Sequence, residues 1–192
     1  MSLRRRQLED LLRSAWIAVI VGFPCIAAIP GCLVVRTTEH IVTVHEDRTG
    51  EGIVHLIDIR SDAISDSLVR RDFDELLKLY SADKFEEFEK YGRRITGKQL
   101  RVRGDTLMAE ITYSFRTLDA VEGLRISKEG MFLVFGPDRV VTKTNGKMGQ
   151  TDKQETSITW DINARRLVYE VSEKRLPPSK SLAALYRRYI IH

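Results

Sequence analysis

The chain has 192 residues, 43% hydrophobic and 30% charged, which fits one folded domain plus an appendage and excludes a disordered polymer. Setting residues 1–32 aside lowers 31 basic residues to 27 and 27 acidic ones to 25, so the remaining body carries only about +2. Despite a pI of about 9.1, that body has no electrostatic footprint for nucleic acid. Both cysteines, Cys25 and Cys32, fall within the first 32 residues, leaving the body without a disulfide, a thiol nucleophile or a cysteine metal ligand.

Arg4-Arg5-Arg6 opens the chain, and positions 14–35 then run for 22 residues without a charge, through Trp16-Ile17-Ala18-Val19-Ile20-Val21. A basic segment followed by an apolar one is the layout of a signal peptide. Near its end stands Ile29-Pro30-Gly31-Cys32, which resembles the lipobox of bacterial lipoproteins, an aliphatic residue and two small ones before the lipidated cysteine. Pro30 departs from that pattern, as do Glu9 and Asp10 in the basic segment. The resemblance implies cleavage before Cys32, acylation of Cys32 (palmitate included), and a single extracytoplasmic domain over 33–192. It implies a cell-envelope protein anchored by lipid at the cell membrane or the outer membrane. The alternative is an uncleaved transmembrane helix, because 22 uncharged residues can span a bilayer. Gly22, Pro24, Pro30 and Gly31 crowd helix breakers into its second half. In both cases the arginines stay inside and the body faces out.

Residues 33–38 read as a short connector. Two β-rich runs follow, at 40–45 and 53–59, flanking Asp47-Arg48-Thr49-Gly50-Glu51-Gly52, the pattern of a hairpin with a glycine-containing loop. Ser61 or Asp62 is placed to cap a helix over 63–80, where Ile64, Leu68, Phe73, Leu76, Leu77 and Tyr80 form a stripe with helical spacing. A second, short helix is expected from Ser81 or Asp83, with Phe85, Phe88 and Tyr91 inward and Gly92 at its C-terminal cap. Strands resume at 99–103, and Leu107, Ala109, Ile111, Tyr113 and Phe115 then alternate with more polar residues on a half-buried strand. Arg103-Gly104-Asp105 between them has the residues of a tight turn. The continuously apolar run 131–135 suits a strand buried on both sides, and 140–143 follows a Gly136-Pro137-Asp138 turn. Residues 147–154 read as a long polar loop. Runs 156–162 and 167–171 look like a last hairpin through Asn163-Ala164, and 181–191 is a terminal helix after Leu176-Pro177-Pro178.

The order is two strands, two helices, a run of strands and a helix, without βαβ alternation. The expected class is α+β, a mostly antiparallel sheet with two or three helices packed on one face. The hairpin-then-helices opening loosely resembles the domain of LppM-type lipoproteins, and no motif extends that likeness to a function.

No P-loop, dinucleotide fingerprint, nucleophile elbow or zinc-protease motif occurs, so no catalytic residue and no cofactor is assigned. The best polar constellation is the first hairpin, where His45 and His55 share strand parity and Glu46, Asp47 and Glu51 lie nearby. A suitable register would set the two imidazoles opposite each other, as a metal-dependent envelope hydrolase would need. Against this, Glu46 and Asp47 are consecutive and would point to opposite faces of a strand. The arginine doublets at 70–71, 93–94, 165–166 and 187–188 read as solvated faces, or as contacts to anionic headgroups if the domain lies close to a membrane. The resulting reading is a membrane-anchored, non-enzymatic module that binds an envelope protein or a lipid. Elemental analysis of the purified protein is therefore expected to find no stoichiometric metal, and EDTA to leave its Tm unchanged. One equivalent of zinc that disappears in His45→Ala would instead support the hydrolase.

Overall fold

In a computed structural model of the chain, residues 33–82, 92–151 and 155–191 are described. β1 (Leu33–Val44) and β2 (Gly50–Ser61) form the opening hairpin, followed by helix α1 (Asp66–Ser81). β3 (Arg93–Arg103), β4 (Thr106–Phe115), a 3-10 turn at Leu118–Ala120, β5 (Arg125–Ser127), β6 (Gly130–Phe135) and β7 (Arg139–Thr144) come next. β8 (Lys147–Gln150), β9 (Thr156–Trp160), β10 (Arg166–Glu173), β11 (Lys180–Ser181) and helix α2 (Ala183–Ile191) complete the described chain. The larger sheet has seven strands in the order β3-β4-β2-β1-β10-β7, with β11 paired to the end of β2. The smaller has four, β5-β6-β9-β8. All pairings are antiparallel.

Strand β4 shows how the large sheet takes two covers. Its odd-numbered residues turn to one face, as the two-residue period of a strand requires. Leu107 and Ala109 join a cluster with Val69 and Phe73 of α1 and with Leu182 and Ala183 at the start of α2. Tyr113 and Phe115, on the same face, join a second cluster with Met131, Leu133 and Phe135 of β6 and with Ile158 and Trp160 of β9. Helices and small sheet therefore lie side by side over one face of the large sheet. A short polar tie holds the helical half: the buried Ser61 hydroxyl donates to the buried Asp72 carboxylate of α1 at 2.5 Å.

Strands β1 and β2 need an irregularity to serve both clusters. Buried residues of β2 are even-numbered up to Val54 and odd-numbered from Ile59. Asp58 stands at the change, with a φ of 62° that puts a non-glycine residue in the left-handed region. Arg36 and Asp58 drop out of the ladder that pairs their neighbours. Their side chains meet instead, Arg36 Nε to Asp58 Oδ2 at 2.8 Å. Beyond this kink, Ile59 and its partner Val35 turn toward the helices.

Several expectations change. Residues 33–38 are not a connector: they belong to β1 and are paired from Leu33 onward. The first loop is only five residues, 45–49, because Gly50 and Gly52 lie in β2 opposite Phe115 and Tyr113. Both glycines are required by close approach. A Cβ on Gly52 would come within 2.1 Å of the Tyr113 ring, and one on Gly50 within 2.5 Å of the Phe115 ring. Helix α1 starts at Asp66, capped by Ser65, whose hydroxyl accepts from the Leu68 amide. Ile64 thus falls outside the helical stripe and is exposed, whereas Phe73 is buried and Leu76 half-buried. The expected second helix, with Phe85, Phe88 and Tyr91, lies outside the described residues, and two α-helices are present among those described.

The strand run 131–135 is buried on alternate residues only, since it belongs to the small sheet. Residues 147–150 are strand β8 rather than loop. Strands β9 and β10 do not form a hairpin. β9 pairs with β6 and β8, and β10 crosses to pair with β1 and β7. Their intervening turn has the predicted chemistry, Asp161 accepting from the Asn163 amide at 2.8 Å, but it passes the chain between sheets. Gly52→Ala is expected to cost about 1–3 kcal/mol by overpacking against Tyr113. Urea unfolding should show Gly52→Ala/Tyr113→Ala recovering part of that loss relative to Tyr113→Ala alone.

Candidate functional site

The large sheet's other face, away from both hydrophobic clusters, carries a row of polar residues in cross-strand register. Lys143, Glu170, Glu39, His55, Glu110 and Gln99 stand opposite one another on β7, β10, β1, β2, β4 and β3. His55 sits between two carboxylates, its Nδ1 2.8 Å from Glu39 Oε2 and its Nε2 3.1 Å from Glu110 Oε2. Lys143 Nζ donates to Glu39 Oε1 at 2.8 Å, and Arg101 Nη2 lies 3.7 Å from Glu110 Oε2. The Thr142 hydroxyl donates to Glu170 at 2.5 Å. Lys143 first, and His55 after it, hold the Glu39 carboxyl below the usual carboxylate range. Ile41 and Ile53 on one side, and Ile57 and Met108 on the other, flank this row on the same face by the two-residue period. The face thus sets paired charges between half-buried aliphatics.

The register places His55 opposite Glu39, not His45. His45 stands past the end of the ladder and bonds within its own loop, Nδ1 to Thr49 Oγ1 at 3.1 Å. Asp47 accepts from the Thr49 amide and hydroxyl in the same loop. The sequence-derived pairing of the two histidines is therefore not formed. The two nitrogens of His55 point to carboxylates on opposite sides, so these donors diverge. Among the described residues no group of three His, Cys, Asp or Glu side chains is placed to hold a metal ion.

Sequence reasoning missed a second polar constellation, which lies between the two sheets. The His40 ring stacks on Tyr169 with centroids 4.5 Å apart and planes within 9°. Tyr169 also packs against Trp160 and Phe135. The guanidinium of Arg93, only 7% exposed, stands 6.0 Å over the Tyr113 ring and 3.6 Å from Glu122 Oε2. The buried Thr38 hydroxyl lies on the same strand face as His40 and has no hydrogen-bond partner.

Removal from water dominates the electrostatics of this layer. It lowers the His40 imidazole to about 3, helped by Arg93 and Arg139. It pushes the Tyr113 phenol up to about 12 and Tyr169 well above its ordinary value. It also raises Glu122, against the pull of Arg93. At neutral pH the layer thus holds a neutral imidazole and two protonated phenols. The alternation of His40 with Val42 and Val44 carried a signal for its burial. Arg93 had none, because an arginine at the head of a strand reads as solvated.

The arginine doublets divide. Arg93 is buried, correcting the solvated reading there, while Arg94 is exposed. Arg165 donates to the His45 carbonyl at 2.7 Å. Arg187 reaches Gly104 O and Asp105 Oδ1. Arg103-Gly104-Asp105 is the β3–β4 turn, with Gly104 at a φ of 55°. The expected lipidation residue Cys32, like Cys25, lies outside the described residues. No described helix is long and apolar enough to cross a membrane. Comparison with protein-family models, curated proteins and solved structures finds no match.

Burial of neutral His40 has a pH signature. Its folded pKa lies below the unfolded value of 6.5, so its contribution is complete above pH 6.5 and is lost as pH falls toward about 3. Between pH 6.5 and 4.5, where Glu39 does not yet contribute, wild-type stability should fall by up to about 1.4 kcal/mol per pH unit from this group. Chemical denaturation across that range is expected to show a shallower slope for His40→Phe, which keeps a ring against Tyr169.

Proposed function

We propose that this chain is a cell-envelope lipoprotein, anchored through Cys32, whose α+β body is a non-enzymatic module that binds a protein or lipid partner at the membrane. The carrying observation is the position of β1. Leu33, the residue after Cys32, is already paired with Ser61. An acyl chain on Cys32 would then hold the large sheet at the bilayer with no intervening tether. Signal-like residues ahead of Cys32, with their basic start, support the same topology.

The non-enzymatic part of the reading is supported by the described histidines. His40 is stacked on Tyr169, His45 is bonded into its loop and His55 is held between two glutamates. The hydrolase alternative needed His45 and His55 together, and the observed register gives it no support. The row around His55 and its flanking aliphatics is the surface we assign to a protein partner.

Metabolic labelling with palmitate tests the anchor. Label is expected in the wild type and in Cys25→Ser and is expected to be absent from Cys32→Ser. Label persisting in Cys32→Ser, or an intact N-terminal peptide by mass spectrometry, would overturn the assignment.

A further inference from the structure

The end of the large sheet at which β1 begins has a composition of its own. Strand directions bring there the start of β1, the end of β2 with the bend that follows it, the β3–β4 turn and the chain leaving β10. To pass from β10 to the far edge of β2 as β11, residues 174–179 must cross the end of β1. Arg60 fastens this crossing, donating to Ser179 Oγ at 2.9 Å and Ser179 O at 2.6 Å.

Ile64 stands in the bend after β2 and is 93% exposed, more than any other large apolar side chain among the described residues. One exposed isoleucine is ordinary on a protein surface. The charges around this one are not evenly balanced. Asp58 is held by Arg36 and Arg60, Asp66 by Lys180, Asp105 by Arg187 and Glu173 by Arg139. Arg103, Lys174 and Arg175 are exposed at the same end and have no carboxylate partner among the described residues. Set against Asp62 and Asp138 as well, this end remains net positive. Ile64 follows Ser61, the partner of Leu33, by three residues and so lies within roughly 10 Å of it.

We propose that this end is a membrane-docking face, on which Ile64 enters the bilayer interface while Arg103, Lys174 and Arg175 meet anionic phospholipid headgroups. An apolar tip gains by leaving water, and cations near an anionic leaflet are attracted within about a Debye length. Docking would fix the orientation of the anchored domain and leave the His55 row pointing along the membrane rather than into it. The proposal rests on the anchoring reading, which puts residue 32 at the bilayer.

The test uses the full chain as isolated from membranes and reconstituted into phosphatidylcholine vesicles with or without phosphatidylglycerol. Ile64→Trp adds a reporter to the wild-type fluorescence, and lipids brominated along the acyl chain quench only what reaches them. Expected is quenching of the added fluorescence, stronger with phosphatidylglycerol, and its loss on Arg103→Glu/Lys174→Glu/Arg175→Glu while the protein still floats with the vesicles. Flotation without quenching in anionic vesicles would overturn docking and leave anchoring intact. Equal quenching in both vesicle types, unmoved by the charge reversals, would also overturn it. Failure to float would sink the anchoring reading and docking with it. Near-ultraviolet circular dichroism of each variant separates a lost contact from a lost fold.

Discussion

A seven-stranded antiparallel sheet presents more apolar surface on one face than a single helix pair can cover. In this protein that surface runs along β4, from Leu107 and Ala109 under the helices to Tyr113 and Phe115 under the small sheet. Every other element is arranged to close it. The requirement explains the kink at Asp58, which lets β1 and β2 change the residues they turn inward between the two covers. It also explains Gly50 and Gly52, whose missing side chains let the β4 rings lie flat on the neighbouring strand. Rings laid over strand glycines recover apolar contact that the glycines themselves cannot make.

Closing one face with two covers leaves a polar layer between the sheets. His40, Tyr169, Tyr113 and Arg93 belong to different strands of the large sheet and Glu122 to the segment after the 3-10 turn, so they are far apart in sequence and meet only when that sheet is paired and the segment is folded against it. Burial keeps the imidazole and the phenols neutral, which makes the layer compatible with a dry interior. The same logic leaves the other face of the large sheet to carry charge. There His55, Glu39, Glu110, Lys143 and Arg101 satisfy one another across five strands. Surface ion pairs of this kind contribute little stability individually.

Function in this reading follows from where the sheet's ends point. One end holds the start of β1 and a surplus of arginine and lysine beside Ile64. The opposite end holds the 45–49 loop, which is closed on itself by bonds from Asp47 and Thr49. An anchored domain with a short approach to its lipid has few orientations open to it. With the anchor and docking we propose, the polar row would be displayed sideways, along the membrane.

Local periodicity and turn chemistry were legible without the structure. The alternation from Leu107 to Phe115, the helix carrying Phe73, the Arg103-Gly104-Asp105 turn and the terminal helix are all set by residues within a few positions of one another. Strand partners were a different matter. Nothing near β10 indicates that it pairs with β1, over 120 residues earlier, rather than with β9 beside it. That choice depends on which residues each sheet can bury, a sum over the whole core. The His45–His55 pairing failed for the same reason, since a different register sets Glu39 opposite His55. Arg93 shows the limit most clearly: a charged residue at the head of a strand acquires an interior place only because Glu122 and the Tyr113 ring, from later in the chain, are folded onto it. Sequence determined several of the strands and helices, because those preferences are local, and missed residues 33–38 of β1 and strand β8. Tertiary structure alone decided which of them meet, because burial is collective.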